Sequence, residues 1–154
     1  MNDAGASEKQ ASYVVKNWYG DGVEGELRNL VYSKWKRSYR VGNDYIKLAN
    51  QESFFRAYDQ YISQILNRIN TIVRFAVLSD APDVVLGFAV VERLNGAPRP
   101  NCLHYVHVHK YQRHQGIARK LIGEPKDIYC FTHLTRIGLQ LWSKIPDAIF
   151  DPFA

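Results

Sequence analysis

Apolar positions along this chain change period several times, and each change predicts an element. Residues 12–16 centre on Val14 and Val15 and read as an opening strand, closed by a turn at Asp21-Gly22. From 23 to 39, Leu27, Leu30, Val31 and Trp35 recur near helical spacing, with Glu24 and Glu26 where carboxylates favour a helix start. Gly42-Asn43 breaks that helix. Residues 51–70 carry the clearest amphipathic stripe: Phe54, Tyr58, Tyr61, Ile62, Ile65, Leu66 and Ile69 share a face that a sheet or helix must cover. Two runs, 72–78 and 84–92, flank the turn-rich Ser79-Asp80-Ala81-Pro82-Asp83 and predict an antiparallel hairpin. A loop containing Asn95-Gly96 and Pro98-x-Pro100 then returns a central strand, 102–108, as a third antiparallel neighbour. A short helix over 116–123, an interruption at Glu124-Pro125-Lys126-Asp127, a strand at 128–131, a helix at 135–144 and a tail at 145–154 complete the order.

Composition narrows the class. A length of 154 residues fits a single domain, here 11–154 behind a flexible segment 1–10, and ten Tyr, seven Phe and three Trp supply ample core. No apolar run is long enough to cross a bilayer and no leader pattern is visible, so a cytoplasmic protein without a membrane partner is expected. Cys102 and Cys130 form neither a CxxC pair nor a metal spacing and read as buried thiols. His107 and His109 alternate on one strand without a nearby carboxylate, and no metal is expected there. The net charge of +5 suits an anionic ligand, nucleic acid or solubility alone.

The richest chemistry lies between Val108 and Leu121, where a strand turns into a helix through Arg113-x-x-Gly116-x-Ala118. Unpaired N–H groups at a helix start, a glycine that lets an anion approach and the charges of Arg113 and Arg119 together suit a phosphate. This stretch resembles the acyl-CoA signature of the GNAT acyltransferase superfamily, Gln/Arg-x-x-Gly-x-Gly/Ala after a central strand. The element order is similar to that of the family from end to end. The resemblance implies an α/β (α+β) fold: a GNAT-like mixed sheet of central antiparallel strands, with a V-shaped split between two parallel strands and flanking helices. It implies acetyl-CoA, or another acyl-CoA, as cofactor. Val106, His107 and Val108 would border the pantetheine, with Val106 and Val108 offering backbone hydrogen bonds. Arg113, His114, Gln115, Gly116, Ile117, Ala118 and Arg119 would enclose the pyrophosphate. The chain also resembles small GNAT-like proteins encoded by bacteriophages, which would place it in a host cytoplasm.

Family members place an acid on the central strand where this chain has His104, and a tyrosine near the last helix where it has none. His104 is therefore the expected base, since imidazole titrates near neutral pH, with Glu92 in reserve. His133 and Tyr129 are the candidates to protonate the departing thiolate, and Thr132 and Thr135 are read as helix caps. The resemblance implies transfer of an acyl group to a primary amine, with small amine, peptide N-terminus, lysine and modified base all open as acceptor. Lys34, Lys36, Arg37 and Arg40, interleaved with Trp35 and Tyr39, raise nucleic acid or a nucleotide as an acceptor or partner; they equally fit a helix C-terminus. The competing class is a binding module that keeps the fold without catalysis.

Overall fold

The computed structural model describes residues 12–145 and 147–154; the expected flexible segment lies outside them. Six strands form one sheet in the order β1-β2-β3-β4-β5-β6. β1 (Tyr13–Tyr19), β2 (Thr71–Leu78), β3 (Val85–Arg93) and β4 (Asn101–Val108) are successively antiparallel, while β5 (Ile128–Phe131) runs parallel to β4 and β6 (Ile149–Phe150) parallel to β5. The helix between β4 and β5 makes the parallel crossover possible.

Helices α1 (Gly25–Gly42) and α2 (Gln51–Leu66) cover one face of the sheet, packing Val31, Trp35, Ile62, Ile65 and Leu66 on Val73, Phe75, Phe88, Val90 and Tyr105. The short helix α3 (Ile117–Ile122) covers the other face, where Ile117 and Leu121 meet Ala89, Val91 and Leu103. A fourth helix, α4 (Arg136–Trp142), precedes β6.

Local chemistry explains the boundaries. Asn43 ends α1 because its side-chain oxygen accepts from the Tyr45 and Ile46 amides, and its NH2 donates to the Leu134 carbonyl across 91 positions of sequence. Asn50 caps α2 by accepting from the Ser53 amide at 3.0 Å. α2 stops at Leu66, four residues earlier than the stripe predicts, so Ile69 leaves the core and stands 87 % exposed in the turn before β2. β6 corrects the expected structureless tail: two residues pair with Cys130 and Phe131.

Candidate active site

β4 pairs with β5 only over its first three residues. Asn101, Cys102 and Leu103 lie opposite Ile128, Cys130 and Phe131, and the last rung is the Thr132 amide donating to the Leu103 carbonyl at 3.2 Å. Beyond it β4 continues to Val108 beside β3 alone. A bulge sits at the fork: Val91 faces Leu103 and Val90 faces Tyr105, leaving His104 as the extra residue. A bulge bends its strand and sharpens its twist, which turns β4 away from β5 and leaves one backbone edge without a strand neighbour.

The side chains along that edge point both ways. Val106 and Val108 pack with the α3 core, whereas Tyr105 faces α1, where its hydroxyl donates to the Lys34 carbonyl at 3.4 Å. His107 packs on Phe88 at 5.8 Å, and burial, followed by the charges of Lys34 and Arg113, pushes its pKa down to about 4.

At the open end, the backbone turns at residues 110–112 and crosses the left-handed region at His114 (φ 65°) and Gly116 (φ 76°) before α3 begins. Glycine is favoured at 116 by that φ rather than by crowding, because a Cβ there would meet nothing within 4 Å. The first helical bond is from the Lys120 amide to the Gly116 carbonyl, so the amides of Ile117, Ala118 and Arg119 have no partner within the helix. Arg113 reaches back to the Val108 carbonyl at 3.3 Å and stays exposed, as do His114 and Arg119. An open cleft of about 690 Å³ flanks the turn on the β1 side, lined by Tyr13, Gln115, Gly116, Arg119 and Lys120.

The fork itself holds a continuous polar cluster. His104 is 1 % exposed, with Nε2 at 2.8 Å from Glu92 Oε2 and Nδ1 at 3.2 Å from Thr132 Oγ1. Thr132 Oγ1 lies 2.8 Å from His133 Nδ1, and Arg68 donates to Glu92 at 2.8 Å from the end of α2. The bond with His104, aided by Arg68, holds the Glu92 carboxyl below its ordinary range. His133 sits among the rings of Trp35, Tyr39, Tyr58, Tyr61 and Tyr105 at centroid distances of 4.7–6.3 Å, and this burial pushes its pKa down to about 3.

Two of the three expected proton-handling residues, His104 and His133, are thus brought together, and Tyr129 is not. Tyr129 lies on the paired stretch of β5, and no hydrogen bond or ring contact joins it to the cluster among the described residues. Thr132, read as a helix cap, instead bridges the two histidines, while Thr135 does cap α4 by accepting from the Gly138 amide. Arg68 carried no sequence signal, and Glu92 stood only in reserve. The bulge brings Glu92 to His104 from 12 positions away, and Arg68 joins them through Glu92.

This cluster fixes the response of stability to acid. His133 is depressed in the folded chain, so between its ordinary pKa of 6.5 and about 3 the unfolded chain binds more protons and folding weakens as pH falls. Glu92, also depressed, stabilises the fold above its ordinary 4.5 and loses that contribution as pH drops through its folded value. Urea midpoints should therefore decline from pH 6.5 toward 3. The His133→Phe variant should decline less steeply; an equal slope in both would mean that His133 does not cause it.

The four cations in the second half of α1 divide. Lys36 is paired with Asp59 and lies over Tyr32 and Phe55, and Arg40 donates to the carbonyls of Ile46 and Ala49 while stacking on Phe54. Lys34 stands beside the split through its neighbours Tyr105 and His107, and Arg37 is exposed. No helix among the described residues is long and apolar enough to cross a membrane.

No family model matches the sequence, and no curated protein matches it. Solved structures do. A GCN5-related N-acetyltransferase from Ralstonia eutropha superposes with a TM-score of 0.60 at 13 % identity, covering 88 % of this chain and 92 % of that one. A protein from Clostridium acetobutylicum described as a predicted acetyltransferase, solved with acetyl-CoA, gives 0.57 at 13 % identity over 93 % and 94 %. The fold, a six-stranded mixed sheet flanked by helices, is that of the GNAT acetyltransferases.

Proposed function

We propose that this protein transfers an acyl group, acetyl in the simplest case, from acyl-CoA to a primary amine. The observation that carries the reading is the fork between β4 and β5: a bulged strand whose backbone edge lacks a strand neighbour, leading at its open end to unpaired amides at the start of α3. That edge fits the pantetheine arm, whose amides can replace the missing strand through Val106 and Val108, with His107 beside them. The amides of Ile117, Ala118 and Arg119 fit the pyrophosphate, with Arg113, His114, Gln115 and Arg119 around it and Gly116 leaving room. When bound, acyl-CoA supplies a thioester carbonyl open to attack by a neutral amine.

The chain's own residues must then take the proton of the acceptor ammonium. His104 and His133 lie at the fork where β4 and β5 separate, His133 within a wall of aromatic rings. Tyr129, on the closed stretch, is left out of this role.

Calorimetry with acetyl-CoA and then CoA tests the proposal. Saturable binding of acetyl-CoA at one site per chain, followed by release of free CoA on adding a primary amine, is expected. Absence of binding would contradict it. Binding without CoA release across amines of every class would favour a binding module.

A further inference from the structure

We propose that Thr132 joins His133 to His104 in a directional proton relay, in which His133 Nε2 takes the proton of the acceptor ammonium and His104 comes to hold it beside Glu92. The source of the proton rests on the acyl-transfer reading; the relay itself rests on hydrogen-bond geometry alone.

The direction follows from counting hydrogens. Glu92 is ionised and accepts from Arg68, so it can only accept from His104, and the hydrogen of a neutral His104 must sit on Nε2. His104 Nδ1 is then bare, and of the two His104 acceptors within reach of the Thr132 hydroxyl, Nδ1 at 3.2 Å is nearer than the backbone carbonyl at 3.4 Å, so the hydroxyl donates to Nδ1. Having spent its single hydrogen, Thr132 can only accept from His133 Nδ1 at 2.8 Å. His133 is therefore the Nδ1–H tautomer, and its Nε2 carries a free lone pair.

A proton arriving at Nε2 reverses two bonds and breaks nothing else. The Nδ1 hydrogen of His133 moves to Thr132 Oγ1, the original hydroxyl hydrogen moves to His104 Nδ1, and His104 becomes an imidazolium. Thr132 and His133 end neutral, His133 now as the Nε2–H tautomer.

The surroundings decide where the charge rests. His133 is closed in by Trp35 and Tyr39 from α1, Tyr58 and Tyr61 from α2 and Tyr105 from β4, with no carboxylate in contact, so an imidazolium there is strongly disfavoured. His104 has the Glu92 carboxylate at 2.8 Å, against which the Arg68 guanidinium acts through the same Glu92 Oε2. Burial raises the pKa of Tyr61, which also hydrogen-bonds Thr132, and a hydrogen bond with Cys130 together with burial raises that of Cys102, so both face the cluster uncharged. The ends of the chain are the wetter parts, with 9 % exposure at His133 and 15 % for the Glu92 side chain; Thr132 is 3 % exposed. Three of the four buried polar residues of the core, His104, Thr132 and His133, belong to this relay.

Nitrogen-15 NMR of the histidines in the full chain, without ligand, tests it. At neutral pH His104 should be the Nε2–H tautomer and His133 the Nδ1–H tautomer. On acidification both should change at one midpoint, His104 gaining its second hydrogen while His133 switches to Nε2–H and stays neutral. In Thr132→Val the two changes should separate, and Thr132→Ser should restore them. In turnover with acetyl-CoA and a primary amine, Thr132→Val should lower kcat by roughly 10²-fold or more with KM for acetyl-CoA unchanged, and Thr132→Ser should recover it. Nε2–H on His133 at neutral pH, independent midpoints in the wild type, or coupling that survives in Thr132→Val would overturn the relay. Should Thr132→Val fail to fold, the wild-type tautomers alone decide. Acetyl-CoA binding is read separately, so failure of the acyl-transfer reading and failure of the relay give different results.

Discussion

Gly116→Glu should reduce acetyl-CoA affinity by at least about two orders of magnitude, or ~2.8 kcal/mol at 1.4 kcal/mol per decade. Gly116 precedes the three amides that lack helical partners, and glutamate there would place a like charge and the extra heavy atoms of its side chain where the pyrophosphate is proposed to lie. The fold should survive, because a Cβ at this position meets open space and a non-glycine residue at φ 76° costs only about 1–2 kcal/mol. Gly116→Gln separates charge from backbone strain. Glutamine matches glutamate in length and meets the same left-handed φ, so that variant should keep affinity within about tenfold while bearing the same backbone burden. Equal losses in calorimetry for the two variants would show that the effect of glutamate is conformational.

The second large effect concerns stability. Trp35→Ala should lower the unfolding free energy by about 3–5 kcal/mol, the range for removing a buried large aromatic side chain, against a total of about 5–15 kcal/mol for a domain of this kind. Trp35 is fully buried on α1, stacks on Tyr105 of β4 at 5.0 Å and 14°, and meets Tyr61 and His133 edge-on. It ties α1 and α2 to the strand that carries the fork, so no neighbour can collapse into the space without moving one of these elements. Chemical denaturation should show the drop in midpoint. A change below about 1 kcal/mol would mean that the aromatic box does not organise this face of the sheet.

Much of the fold is legible in the chain because its long elements carry strong periods. The stripe from Phe54 to Leu66, the Ser79–Asp83 turn and the glycine-marked start of α3 each encode a local preference that tertiary packing confirms. The misses have local causes of the opposite sort. Ile69 continues the apolar period of α2, yet Asn67 caps the helix and Ile69 turns outward, so period alone overruns the helix end. β6 has only two residues, too few for alternation to register, and exists because the Phe131 edge offers it a partner.

The candidate site divides in the same way. The Arg113–Ala118 turn is contiguous and carries its own backbone signature, so sequence alone points to it. The relay is not contiguous: Arg68, Glu92, His104 and Thr132 come from the end of α2, from β3, from β4 and from the end of β5. Only a bulge that adds one residue to β4 turns His104 toward both Glu92 and Thr132. Strand alternation, with its period of two, gives no hint of an extra residue, and Thr132 before a helix is indistinguishable from a cap until its partners are seen.

The central claim, that acyl-CoA lies in the fork with its phosphates at the start of α3, is tested most directly by following backbone amide resonances as acetyl-CoA is added. The account predicts the largest shifts at Val106 and Val108 and across residues 113–119. Shifts confined to the groove between α1 and α2, around Arg28, Tyr32 and Lys36, or no shifts at saturating acetyl-CoA, would contradict it.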